Sequence, residues 1–194
     1  MKKSQPTTPP PIESDNLCKR LAEQFPAEFA RWAFGVTGAV KVDKTELSRE
    51  PIRADAAIFS HEARETLHAE FQTTLKSEVP VPLRFLDYYV GFKRKQPDRR
   101  VRQVLIVLMP VREPIPDRYE DERTWHEYDV IYLPEVDARE LLRYEALLPL
   151  ATLCKAESGE KLLEQVAARA QRIKSKTRRS EVINASRIFA GAAL

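Results

Sequence analysis

Residues 102–109, Arg-Gln-Val-Leu-Ile-Val-Leu-Met, are nearly all aliphatic and stop at Pro110. Such a run reads as a strand buried on both faces, which places it centrally in a sheet with cover on either side. The rest of the chain must supply the neighbouring strands and the covering helices.

Two strand patterns precede it, residues 52–59 and 65–73. The second alternates, so that Leu67, Ala69 and Phe71 share one face while His68, Glu70 and Gln72 share the other. Residues 125–133 alternate as a further strand, after a charged, proline-containing loop over 111–123. Leu17, Leu21, Phe25, Phe29 and Trp32 recur at helical spacing and predict a helix over 16–34 with Gly35 near its end. Pro26 offers a break that would make it two short helices. Pro80 and Pro82 open a helix that runs to Lys95.

Beyond residue 137 the pattern is helical, with Leu162, Leu163, Val166, Ala170 and Ile173 along one stripe and a further helix over 180–193. The sum is an α/β chain: a small central mixed β-sheet flanked by helices, with a helical C-terminal third. We expect a disordered tail over 1–15, where Pro9, Pro10 and Pro11 oppose helix and sheet alike. The α/β core then spans 16–135. The helical region 136–194 either packs on that core or forms an interface, for instance in a homodimer.

Composition excludes several classes. Hydrophobic residues make up 43% of the 194, too many for a disordered chain. The 32 basic and 29 acidic residues nearly cancel, so net charge alone does not argue for a nucleic-acid partner. Two cysteines, Cys18 and Cys154, make no disulfide framework and no CxxC pattern, and the three histidines form no HExxH, so a zinc site is not expected. The polar, proline-rich start lacks the apolar core of a signal peptide, and no apolar run reaches membrane-span length. These features predict a cytoplasmic protein without a membrane partner. No GxxxxGK[ST] or GxGxxG occurs, so no nucleotide cofactor is indicated.

The chemistry lies in the two strands before the Pro80 helix. If they form a hairpin whose turn is centred between Glu62 and Ala63, Asp55 lies opposite Glu70 and Arg53 opposite Gln72. Opposed residues project from the same face of strands about 4.8 Å apart. Two carboxylates that close repel unless a cation sits between them. Mg²⁺ suits the position, because it takes hard oxygen ligands from one or two carboxylates, with water and phosphate oxygens completing its shell. The backbone carbonyl of Phe71 is a further candidate ligand. An ion held this way activates a water and neutralises a phosphoryl oxygen, which is what phosphodiester hydrolysis needs. Gln72 can donate hydrogen bonds to the attacking water or to phosphate. The competing reading makes Asp55 and Glu70 solvent-facing charges of an amphipathic hairpin.

The residues that tip this balance are Arg53-Ala-Asp55, His68-Ala-Glu70-Phe-Gln72 and Arg84-Phe-Leu-Asp-Tyr88. In this order, on a helix, strand, strand, helix framework, they resemble the PD-(D/E)XK nuclease superfamily. They are most similar to its recombination-promoting nuclease and transposase-like group, in which glutamine often replaces the superfamily lysine, as at Gln72. The similarity runs from Cys18 towards the C-terminus. It implies a restriction-endonuclease-like fold and Mg²⁺- or Mn²⁺-dependent DNA cleavage, with Asp55, Glu70 and Gln72 catalytic and a link to mobile elements. A further acid on the first helix is expected from the superfamily, with Glu28 the first candidate and Glu46 the second. The missing lysine leaves open a catalytically weak or inactive DNA-binding or assembly protein on the same fold.

Arg84 and Tyr88 are four apart and share a helix face, as a phosphate contact or as a surface pair. Lys93, Arg94 and Lys95, followed by Arg99, Arg100 and Arg102, are candidates to track a DNA backbone, and the cluster Arg169–Arg179 reads first as a solvated face. His68 is expected to be accommodated on the hairpin surface and His61 in a loop, while Trp32 and Trp125 are expected in the core or an interface.

Overall fold

The protein is described here from a computed structural model covering residues 11–42, 56–60 and 64–193. Glu46, Arg53, Asp55 and His61 lie outside the described residues.

Pro26, which has no amide hydrogen to donate, divides the first helical stretch. It yields α1 (Pro11–Gln24) and α2 (Pro26–Phe34). α1 starts at Pro11, inside the stretch expected to be disordered: proline is tolerated in a first turn, and Leu17, Cys18, Leu21 and Ala22 further along are buried. Gly35 ends α2 in the left-handed conformation, with φ of 68°, which L side chains rarely adopt.

Three strands follow: β1 (Val40–Val42), β2 (Ala56–Ser60) and β3 (Glu65–Gln72). Then come α3 (Val81–Lys95) and β4 (Arg100–Val107). A ribbon of β5 (Arg118–Asp121) and β6 (Thr124–Glu127) precedes β7 (Asp129–Tyr132). The main sheet has the order β1-β2-β3-β4-β7. β1, β2 and β3 run antiparallel, and β3, β4 and β7 run parallel, so the sheet is mixed. In the β2–β3 pair, Ala56 opposes Ala69, Ile58 opposes Leu67 and Ser60 opposes Glu65. That is the register a turn centred between Glu62 and Ala63 requires.

Both faces of the sheet are covered. Leu67, Ala69 and Phe71 join Val104, Ile106 and Leu108 in the larger core, against α1, α2 and the C-terminal helices. Phe71 meets Phe29 of α2 edge to face at 6.0 Å. On the opposite face, Leu105 and Val107 pack with Val81 and Phe85 of α3 and with Tyr128. The helical face of α3 explains this: Val81, Phe85, Tyr88 and Phe92 are buried at spacings that return to one side.

The stretch expected as one strand over 125–133 is two. Thr124–Glu127 pairs with Arg118–Asp121 in the separate ribbon, so part of the expected 111–123 loop is also strand. Only Asp129–Tyr132 enters the main sheet beside β4. Tyr128 is the pivot. Its amide donates to the Asp117 carbonyl at 3.0 Å, and its ring stacks on Phe85 at 4.0 Å. Glu122-Arg123 forms the tip of the ribbon without the Asn-Gly or Asp-Gly pair that usually marks so tight a hairpin.

The helical third contains α4 (Ala138–Leu141), α5 (Leu148–Ala151), α6 (Gly159–Gln171) and α7 (Lys176–Ala193). Leu162, Val166, Ala170, Ile173, Val182, Ala185 and Phe189 all belong to the larger core. The apolar stripe of α6 therefore closes this core. No helix among the described residues is long and apolar enough to cross a membrane.

Candidate functional site

The alternation of β3 points His68, Glu70 and Gln72 toward α3 and away from the larger core. His68 is fully buried, and Glu70 is 2% exposed. Because α3 covers this face, neither reading of them as surface groups survives: His68 is not on a hairpin surface, and Glu70 is not a solvent-facing charge. The His68 ring is enclosed by Phe85, Tyr88 and Phe92, with centroids 5.5, 4.7 and 5.4 Å away.

Buried polar groups need partners. Glu70 Oε1 lies 3.1 Å from His68 Nε2. On the other side of the ring, His68 Nδ1 lies 3.0 Å from the Gln103 side-chain amide nitrogen. That nitrogen also donates to the Phe85 carbonyl at 2.9 Å, and Gln103 Oε1 lies 2.6 Å from His126 Nε2. Four side chains from β3, β4 and β6 thus form one line of hydrogen bonds. Gln103 and His126 line a cleft of about 620 Å³ with Tyr89, Trp125, Arg100 and Arg102. His126 lies beside the Tyr89 ring, 4.9 Å between centroids, and burial lowers its pKa from the ordinary histidine value.

Gln103 and His126 carry this line and were not singled out from the sequence. One signal was present: Gln103 opens the run 103–109, whose other members are all apolar, and a polar side chain there must find partners inside. Its partners are distant in sequence, so the pattern alone could not name them.

Of the expected site residues, Glu70 and Gln72 lie on the face toward α3. Among the described residues no hydrogen bond engages the Gln72 side chain, while its carbonyl accepts from the Leu108 amide at 2.8 Å. Phe71 turns its side chain into the opposite core. Asp55 falls outside the described residues, so the Asp55–Glu70 pair is described only at Glu70. No group of three or more His, Cys, Asp or Glu side chains among the described residues could hold a metal.

Glu28 is not brought to Glu70. Its Oε2 accepts from the Ala146 amide at 2.8 Å, and its Oε1 accepts from Arg178 Nη2. The acid is thus engaged in tying α2 to the C-terminal helices. Arg178 also lies over the Phe25 ring, at 4.3 Å.

The expected DNA contacts divide. Tyr88 is 3% exposed and lies edge-on to His68, so it is a wall of the buried line rather than a surface contact. Arg84 is half-buried, and its Nε and Nη2 have no hydrogen-bond partner among the described residues. Lys93 donates to the carbonyls of Pro97 and Arg99, closing the loop after α3. Arg94 and Lys95 are exposed. This basic group does not adjoin Glu70: Arg100 pairs with Glu65, five residues back along β3, about 17 Å at about 3.3 Å per residue. In the second basic cluster, Arg169, Arg178 and Arg179 bond to groups of this chain rather than forming only a solvated face. Trp125, expected in a core or interface, is 55% exposed, with Arg118 over its ring. Trp32 packs against the larger core.

No family model, curated protein or solved structure matches this chain.

Proposed function

We propose that the chain is a Mg²⁺- or Mn²⁺-dependent DNA endonuclease with a restriction-endonuclease-like fold, acting in the cytoplasm and linked to mobile elements. The observation that carries this reading is the β2–β3 register, whose last described pair sets Ala56 opposite Ala69. The proposal extends that register by one residue, to Asp55 opposite Glu70. The element order of helices, strands, then the α3 helix also agrees with the resemblance drawn from the motifs.

The donor set fits a hard cation. Glu70 offers carboxylate oxygen with an imidazole hydrogen-bonded behind it, an arrangement that orients metal ligands. Sulfur takes no part: Cys18 belongs to the larger core, and the Cys154 thiol, pushed by burial up to about 12, bonds to the Leu150 carbonyl of its own helical turn. Asp55, Glu70 and the Phe71 carbonyl would hold the ion. When bound, such an ion lowers the pKa of a coordinated water and neutralises charge on a phosphoryl oxygen. Gln72 supplies neutral amide donors for a phosphate oxygen where a lysine would supply charge. Leu105 and Val107, neighbours of Glu70 and Gln72 across the β3–β4 pair, keep the floor of the site dry. Arg84, whose buried Nε and Nη2 lack an acceptor among the described residues, is the candidate phosphate contact, while the exposed Arg94 and Lys95 would extend contact along the backbone.

The test is nicking of supercoiled plasmid DNA by the pure protein with Mg²⁺ or Mn²⁺. Nicking should be abolished by Asp55→Ala and by Glu70→Ala. Absence of nicking with either ion across pH would sink the enzyme reading.

The near-complete burial of Glu70 favours one second reading, a DNA-binding or assembly protein on the same fold with little or no catalysis. It predicts salt-sensitive DNA binding that ignores Asp55→Ala and Glu70→Ala but weakens on charge reversal at Arg94 and Lys95.

A further inference from the structure

Gln103 is 4% exposed, and its amide is oriented without ambiguity. A backbone carbonyl can only accept, so the group facing the Phe85 carbonyl is the Gln103 nitrogen. The same nitrogen faces His68 Nδ1, which therefore accepts. The proton of a singly protonated ring then lies on Nε2, aimed at Glu70 Oε1. At the other end, Gln103 Oε1 accepts, so His126 donates from Nε2. Every donor in the line points the same way, from the cleft at His126 through Gln103 and His68 to the carboxylate.

We infer that His68 is the positioning residue for the Glu70 carboxylate, and that Gln103 selects the histidine tautomer that makes this hold possible. The inference deepens the nuclease reading and rests on it where Glu70 is treated as a metal ligand. The tautomer does not depend on that reading. The line has no slack: the ring is fully buried among three aromatic side chains, so water cannot substitute for either partner. A Gln103 that donates fixes a His68 that donates. An acceptor at position 103 would instead call for a proton on Nδ1 as well.

The experiment is long-range ¹H–¹⁵N NMR of the histidine rings in the full-length, metal-free protein, paired with Mn²⁺ affinity from the electron paramagnetic resonance of free Mn²⁺. In wild type, His68 should show a protonated Nε2 and a bare Nδ1. Gln103→Glu, similar in size, places an acceptor at Nδ1 and should add a proton there, beside the one that Glu70 holds on Nε2. His68→Leu should weaken Mn²⁺ binding roughly 10–100-fold, the usual effect of losing a group that orients a ligand. His68→Gln, which keeps a donor, should recover part of it. A proton on Nδ1 in wild type would overturn the inference, and so would Mn²⁺ affinity unchanged in His68→Leu. Wild-type protein that binds no Mn²⁺ yet shows the Nε2–H ring would refute the metal reading of Glu70 and leave the His68–Glu70 hold supported.

Discussion

Tyr128 shows how individual side chains settle on the α3 face of the sheet. Its ring stacks on Phe85, but its buried hydroxyl has no hydrogen-bond partner among the described residues. Burial pushes that hydroxyl well above the ordinary tyrosine value, the Asp117 charge adds to the rise, and Arg84 offsets part of it. An unsatisfied buried hydroxyl destabilises by about 1–3 kcal/mol. Tyr128→Phe keeps the stack and removes the hydroxyl, so urea denaturation should show equal or higher stability; a clear loss would mean the hydroxyl is bonded. His126 gives a pH signature. Burial lowers its pKa below the ordinary 6.5, so the folded state disfavours its proton relative to the unfolded chain. Its contribution to stability is present above pH 6.5 and lost as pH falls through the lower folded value. Thermal melts between pH 8 and 5 should show this fall, and His126→Asn should flatten it. Cys154, raised to about 12, should resist iodoacetamide at neutral pH until the protein unfolds.

At the scale of elements, α3 decides what the sequence could and could not reveal. Its limits were legible, since Pro80 and Pro82 mark its start and the apolar spacing marks its buried side. The β2–β3 register was legible as well, because alternation leaves few ways to align two short strands. Alternation identifies which residues share a face, but not what covers that face. His68 was read as a hairpin-surface residue, the competing reading of Glu70 was a solvent-facing charge, and Tyr88 was read as a phosphate contact or a surface pair, yet all three are buried between β3 and α3. The ribbon of β5 and β6 was missed for a related reason: a strand that changes sheets at Tyr128 has the same period as one that does not. Glu28 was sought at the catalytic centre because it lies on an early helix, yet its partners, Ala146 and Arg178, are more than a hundred residues away in sequence.

The whole molecule is a mixed sheet with a large core on one face and a small one on the other. The large core takes in the C-terminal helices, through Leu162, Val166, Ile173, Val182 and Phe189 among others. Full burial of each such side chain stabilises by about 1.5–3 kcal/mol, so together they rival the roughly 5–15 kcal/mol net stability of a domain. Removing residues 157–194 should therefore unfold the protein, as read by circular dichroism; a folded truncated chain would show that these helices serve an interface instead. Phe189→Ala alone should lower stability by about 3–5 kcal/mol. The proposed chemistry lies on the smaller side, where α3 packs over the β3 face that carries Glu70. Its most direct test is a crystal of the full chain soaked with Mn²⁺ and examined for anomalous scattering. The account predicts one Mn²⁺ bound by the carboxylates of both Asp55 and Glu70. Those two side chains on opposite faces of the sheet, or an ion bound elsewhere with neither of them, would contradict it.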